Sequence, residues 1–154
     1  MALRIAILAE TPHLEAVAGW LHAQWWAADG HDLPATRAFL AAARGPAAPL
    51  TLVAEAGGRP LGTATLDIDD LPARPDLAPW MASVLVTPAA RGQGVASALV
   101  AAIVARARAL GYAELFLFTS DQAAFYAKRG WLGLGAESWR GQPVTLMRRD
   151  LTAR

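Results

Sequence analysis

Apolar residues fall in short runs whose period changes along the chain, and the changes mark elements. Leu3 to Leu8 is an apolar run of strand length, and Thr11-Pro12 after it supplies a hydroxyl cap and a proline suited to a first helical position. Leu14, Val17, Ala18, Leu21 and Trp25 then recur at helical spacing, and the stripe stops near Asp29-Gly30. A second short helix is expected over Pro34 to Ala43. Thr51 to Ala56 and Gly62 to Asp67 have strand character and flank the turn-rich "GGRP", which predicts a hairpin. The polar, proline-bearing stretch Ile68 to Pro79 reads as a loop leading into a strand over Trp80 to Val86. Val95, Leu99, Ala102, Ile103 and Leu110 give the buried face of a further helix closed by Gly111, and Leu115 to Phe118 is another strand. "TSDQ" has the spacing of a capping box, with Thr119 as cap and Gln122 reaching back, so a helix is expected to about Arg129 with a stop at Gly130. Trp131 to Gly135 and Pro143 to Arg149 complete the set as strands.

The predicted order is therefore β-α-α-β-β-β-α-β-α-β-β. A strand-helix-strand crossover over residues 80–118 demands one parallel pair within an otherwise antiparallel sheet. With 154 residues, 55% hydrophobic and 18% charged, the chain has material for one packed domain over 1–154.

Charge and cysteine count narrow the chemistry. A net charge of +1 sets up no field that favours nucleic acid or an anionic membrane, so a small molecule or peptide is the expected partner. The absence of cysteine excludes disulfides, thiolate metal sites and a cysteine nucleophile. His13, His22 and His31 lack metal-site spacing, and no metal is expected. The apolar stretch between Arg4 and Glu10 is too short for a secretory segment, and Val95 to Ala105 is too short to span a bilayer, which points to the cytoplasm.

The segment "VTPAARGQGVA" carries the strongest chemical signal. A strand-to-helix turn presents helix amides that have no intrahelical partner, and glycines let a ligand approach them. The helix dipole and the Arg91 charge both favour an anion there, and a phosphate or pyrophosphate is the natural guest. Neither a P-loop nor a dinucleotide fingerprint is present. A plain glycine turn beside a surface arginine would account for Arg91-Gly92-Gln93-Gly94 taken alone.

The wider segment resembles the signature of the GNAT superfamily of N-acetyltransferases, V-x-P-x-x-R-G-x-G-x-A/G, with Val86, Pro88, Arg91, Gly92, Gly94 and Ala96 in place. "FYAKRGW" is similar to the second family signature through Phe125, Tyr126, Gly130 and Trp131. The resemblance implies an α/β (α+β) acyl-CoA N-acyltransferase fold, with a mixed, mostly antiparallel central sheet flanked by about four helices. It implies acetyl-CoA as cosubstrate, with Val84, Leu85 and Val86 pairing with the pantetheine arm. The amides of Arg91, Gly92, Gln93, Gly94, Val95 and Ala96 would hold the pyrophosphate, with Ser97 adding a hydroxyl. It leaves a homodimer open. "TSDQAAFY" with "WLHAQWW" also resembles a branch that includes bacterial proteins of unassigned substrate and the actin N-terminal acetyltransferase; Asp121 and Gln122 belong to that stretch. Where many members place a coenzyme-contacting asparagine, this chain has Thr119.

Acetyl transfer needs a neutral amine, stabilisation of the oxyanion and a proton for the departing thiolate. Tyr126 matches the family tyrosine commonly assigned as general acid, and a satisfied core tyrosine is the alternative. A backbone N–H of the Trp80 to Val86 strand is the usual oxyanion donor in this fold. The carboxylate many members carry on that strand is missing, since Trp80, Met81, Ala82 and Ser83 stand there. At pH 7 a lysine amine, pKa about 10.4, costs roughly 4.6 kcal/mol to deprotonate, against roughly 1.1 kcal/mol for an α-amine at about 7.8. A site without a base favours the α-amine or a proton path through ordered water, unless Glu10, Asp67 or Glu55 enters from a neighbouring segment.

Trp20, Trp25 and Trp26 cluster near the end of the first helix, where Trp25 and Trp26 wall an acceptor pocket or pack as core. Asp67, Asp69 and Asp70 attract a cationic acceptor or form a solvated loop face. Ser83 is a further substrate-side candidate. Arg148, Arg149 and Arg154 form a basic end with a solvated role. The expected activity is direct transfer from acetyl-CoA to a primary amine of a small molecule or of a peptide or protein N-terminus. The alternatives are a non-catalytic acetyl-CoA-binding regulatory module, which keeping Tyr126 argues against, and a toxin acetylating charged tRNA, which the weak net charge argues against.

Overall fold

A computed structural model describes residues 2–152, and Arg154 of the basic end lies outside them. In chain order the elements are β1 (Arg4–Ile7), α1 (Leu14–Leu21), α2 (Leu33–Ala42), β2 (Leu50–Ala56), β3 (Arg59–Asp67), β4 (Trp80–Val86), α3 (Val95–Ala109), β5 (Glu114–Thr119), α4 (Ala123–Ala127), β6 (Leu132–Trp139) and β7 (Gln142–Asp150). This is the predicted order. All seven strands join one sheet, arranged β1-β2-β3-β4-β5-β7-β6. Only β4 and β5 run parallel, as the crossover through α3 requires.

Strand alternation places apolar side chains on both faces of the sheet. Leu52 and Ala54 of β2 join the core beneath α3, with Val95, Leu99, Ile103 and Leu115. Val53, between them, points the other way into a second cluster with Val17, Leu21 and Leu40 from α1 and α2. The buried threonines of the sheet are satisfied: the Thr51 and Thr65 hydroxyls meet at 2.9 Å, and Thr63 Oγ1 donates to Leu52 O at 2.8 Å.

Several boundaries depart from the sequence reading. Thr11 Oγ1 accepts from His13 N–H and donates to Leu8 O, capping a turn that precedes the helix, so α1 starts at Leu14. After Leu21 the helix widens into a π-type turn over His22–Trp26. Gly57 and Gly58 alone make the hairpin turn, both at positive φ, while Arg59 and Pro60 already pair with β2. Leu110 follows the end of α3 and is 38% exposed, outside the buried face. Thr119 Oγ1 accepts from Gln122 N–H at 2.9 Å, half of the expected capping box, and α4 ends at Ala127. β6 and β7 run longer than expected and close in a tight turn at Arg140-Gly141, both at positive φ.

Two features set up the site. First, β4 and β5 are in register only at Trp80 and Phe116, so the two strands part beyond that pair. Trp80 is fully buried, its Nε1–H bonds Leu77 O at 2.7 Å, and its ring packs on Phe116 at 5.8 Å. Second, the β3–β4 register shifts between Thr63 and Thr65, and Ser83 opposite that shift has φ of 56°. A serine in the left-handed region marks a bulge that bends β4 away from its neighbour.

Gly62 governs how closely α3 sits on the sheet. A Cβ there would stand 2.9 Å from Leu85 O, 3.0 Å from Leu99 Cδ1 and 3.1 Å from Val95 Cγ1. Gly62→Ala is expected to destabilise the fold by about 1–3 kcal/mol, read as a fall of several degrees in Tm; an unchanged Tm overturns this account of the packing.

Candidate active site

The parting of β4 from β5 opens a cleft that runs through the molecule. One cavity, about 460 Å³, is bounded by Val84, Leu85, Val86, Arg91, Ala96 and Tyr126. A second, about 280 Å³, is bounded by Trp25, Trp26, Asp70, Ser83, Thr119 and Trp139. The two share Trp25, Val84, Asp121, Gln122 and Tyr126, so Tyr126 stands where they meet. A third cavity, about 390 Å³, continues past Asp70 and is bounded by Asp67, Asp69, Trp26 and Asp29.

The glycine turn faces the first cavity from the start of α3. Gly92 has φ of 76° and Gly94, the N-cap, 81°, and no atom lies within 4 Å of a Cβ on either. The first cap hydrogen bond runs from Ala98 N–H to Gly94 O, which leaves the N–H groups of Val95, Ala96 and Ser97 without intrahelical partners. Side chains of the same stretch turn to the protein. Gln93 Nε2 donates to Ala89 O at 3.3 Å, Val95 is buried in the core, and the Ser97 hydroxyl accepts from Arg129 at 2.8 Å. What remains for a ligand is backbone amide, the Arg91 guanidinium and open space, a fit to a pyrophosphate. The Thr119 hydroxyl is likewise engaged, by the amides of Asp121 and Gln122.

Tyr126 is buried on α4 between Phe125 and Trp131, edge-on to both rings at 5.1 and 6.0 Å. Burial pushes its phenol up to about 12, with Arg129 pulling down and Asp121 adding slightly to the rise. Among the described residues no hydrogen bond engages its hydroxyl.

The acids do not sit where the sequence left them open. Glu55 is held by the His13 ring at 2.6 Å and by Arg4 at 3.3 Å, and neither Glu55 nor the exposed Glu10 bounds a cavity of the cleft. Asp67 bounds the third cavity but not the second. Of that acidic run, Asp70 is the member that enters the second, alongside Asp29 and Asp121. Burial, then the charges of Asp67 and Asp29, push its carboxyl up to about 7. Burial first, and then Asp69, also raise Asp67, against a backbone N–H bond from Ile68.

The wall opposite is tied across the sequence. Arg140, at the β6–β7 turn, pairs with Asp29, donates to Trp25 O at 2.7 Å and lies 4.2 Å over the Trp139 ring. Trp25 and Trp26 serve both readings, packing against the α1–α2 core while walling the cleft. Sequence patterning gave no sign of Trp139, and although it named Asp70, Asp121 and Gln122, only the tertiary fold turns them to the cleft.

The sequence profile described as the acetyltransferase (GNAT) family matches residues 14–131. The chain belongs to that family and is an acetyl-CoA-dependent acetyltransferase. YncA of Salmonella typhimurium, solved with acetyl-CoA, is similar in fold with a TM-score of 0.76 and 18% identity, over 100% of this chain and 96% of that one. An N-acetyltransferase from Staphylococcus aureus Mu50 gives 0.76 and 18% over 98% and 99%. An aminoglycoside 6'-N-acetyltransferase complexed with coenzyme A gives 0.75 and 12% over 98% of each. No curated protein matches the sequence. Among the described residues no helix is long and apolar enough to cross a membrane, and no group of side chains is arranged to hold a metal ion.

Asp70 holds its proton more tightly folded than unfolded, since its carboxyl lies near 7 against the ordinary 3.8. Stability should then be full below the unfolded value and fall as pH rises through the folded one, a cost of at most about 4 kcal/mol. Asp70→Asn is expected to stabilise the fold at neutral and higher pH and progressively less towards pH values of about 4, read from urea denaturation of variant and wild type. A difference that does not change with pH overturns this.

Proposed function

We propose that this single domain transfers an acetyl group directly from acetyl-CoA to a primary amine, of a small molecule or of a peptide or protein N-terminus, across the β4–β5 cleft. The observation that carries this reading is the position of Tyr126 at the junction of the two larger compartments. The first suits the coenzyme: an amide cradle with Arg91 for the pyrophosphate, and the β5-facing edge of Val84–Val86, unpaired beyond Trp80, for the amide groups of the pantetheine arm. The second, aromatic-walled and acidic, suits an amine. Bound acetyl-CoA supplies an acyl thioester at the junction.

The protein then has three tasks. The cradle and the β4 edge fix the thioester, and orientation of this kind removes a large entropic part of the barrier. The Ser83 bulge breaks the β4 ladder beside Val84, which borders both compartments, so strand amides there are placed to stabilise charge growing on the carbonyl oxygen. Tyr126 faces the departing sulfur with a phenol that stays protonated at neutral pH. At about 12 it lies above the thiol range of about 8.5. It therefore holds the thiolate by a hydrogen bond and completes proton transfer only as the nitrogen gives its proton up. With no cysteine in the chain, transfer proceeds without a thioester on the enzyme.

A thiol-release assay with acetyl-CoA tests the reading on N-terminal peptides, lysine peptides, polyamines and aminoglycosides. Tyr126→Phe is expected to lower kcat by roughly 10²-fold while calorimetric acetyl-CoA affinity stays unchanged. Acetyl-CoA binding without turnover of any amine would favour the regulatory module, and equal turnover would remove Tyr126 from the chemistry.

A further inference from the structure

The second and third cavities form one passage. Trp26, Asp29 and Asp70 border both, and the Asp70 carboxylate stands in the wall between them. It lies deep in the fold, accessible where the cavities reach it, and among the described residues no hydrogen bond or ion pair engages it. Half-buried and without a protein partner, that carboxyl meets only what enters the cavities, and a cationic ligand there would supply the partner the fold does not. Neighbouring cations are already spent. Arg140 is paired with Asp29, and Arg74, which borders the third cavity, is held by Asp76 at 2.9 Å and Glu137 at 3.2 Å. That leaves Asp67, Asp69 and Asp70 facing a chamber whose other titratable groups are His31 and the already paired Asp29 and Arg74, while Asp29, Asp121 and Tyr126 face the second cavity.

We infer that the acceptor is a compact diamine, with Asp70 taking the proton from its reacting ammonium group and the Asp67–Asp69 chamber holding its second cationic group. The inference rests on the acetyl transfer proposed above and names the acceptor class of that site. Trp26 offers the second cation an aromatic face as well as carboxylates. The acids are not arranged to hold a metal ion, so an organic cation is the occupant that fits. A monoamine of equal length would forgo the attraction of the chamber's carboxylates, and the site would discriminate against it by that difference.

One ammonium proton passes to Asp70 and later to solvent. The freed lone pair forms the C–N bond, the thioester C–S bond breaks, and the second nitrogen proton ends on the sulfur. A carboxyl near 7 is matched to this task at neutral pH, where an ordinary aspartate would be too weak a base. The base that the β4 strand lacks is thus supplied by the loop before it.

Steady-state thiol release with putrescine and butylamine tests this on the wild type, Asp67→Asn and Asp70→Asn, with acetyl-CoA affinity measured in parallel by calorimetry. Putrescine should exceed butylamine in kcat/KM by about 10²-fold. Asp67→Asn should raise the putrescine KM about tenfold with kcat kept. Asp70→Asn should lower kcat and abolish the acidic limb near 7 in the kcat/KM profile, with acetyl-CoA affinity unchanged. Equal use of the two amines, or a limb that survives in Asp70→Asn, overturns the inference while leaving acetyl transfer standing. A protein that binds acetyl-CoA but acetylates no amine overturns both.

Discussion

Everything this protein can do chemically depends on β4 and β5 failing to stay together. A continuous parallel pair would close the sheet and leave no passage between its faces. The fold prevents that with two opposed constraints: Trp80, buried and hydrogen-bonded, clamps the strands at one end, and the bulge at Ser83 bends β4 off course. The gap exposes strand edge to a ligand that can use it, and α3 is seated by the close approach at Gly62 so that its amide-rich end opens on the same gap.

The two sides of the gap are built from different materials. On the coenzyme side the protein presents main chain, and the side chains of Gln93, Val95 and Ser97 are occupied internally. On the amine side it presents rings and carboxylates, including one acid kept at a cost to stability. That division suits the ligands proposed for the two sides. A pyrophosphate is recognised well by oriented N–H groups, whereas a cation needs negative charge and an aromatic face. Keeping Asp70 enclosed is the kind of local violation expected where packing yields to chemistry.

The sequence made the main-chain side legible and the side-chain side hardly at all. Periodicity located β4 at its observed ends, and glycine spacing located the turn, because both depend on neighbours in the chain. Asp70 was indistinguishable from Asp67 and Asp69, since which of three nearby acids faces a cavity is decided by the loop's path over the fold. The Ser83 bulge carries no glycine to announce it. The contact of Arg140 with Asp29 joins positions 111 apart, beyond the reach of any local pattern. Glu10 and Glu55 were reasonable candidates by composition, and Glu55 is consumed by His13.

That long-range contact has an evolutionary consequence. One guanidinium, projecting from a tight turn, ties the final hairpin to the segment after α1, and both pieces contribute surface to the second cavity. Residues of either piece that stay clear of the Arg140 contact can change without loosening it, and the main-chain cradle on the far side of the gap does not depend on them. Descendants of this architecture can therefore exchange one acceptor for another through drift in two short, remote stretches and keep the same acetyl donor throughout.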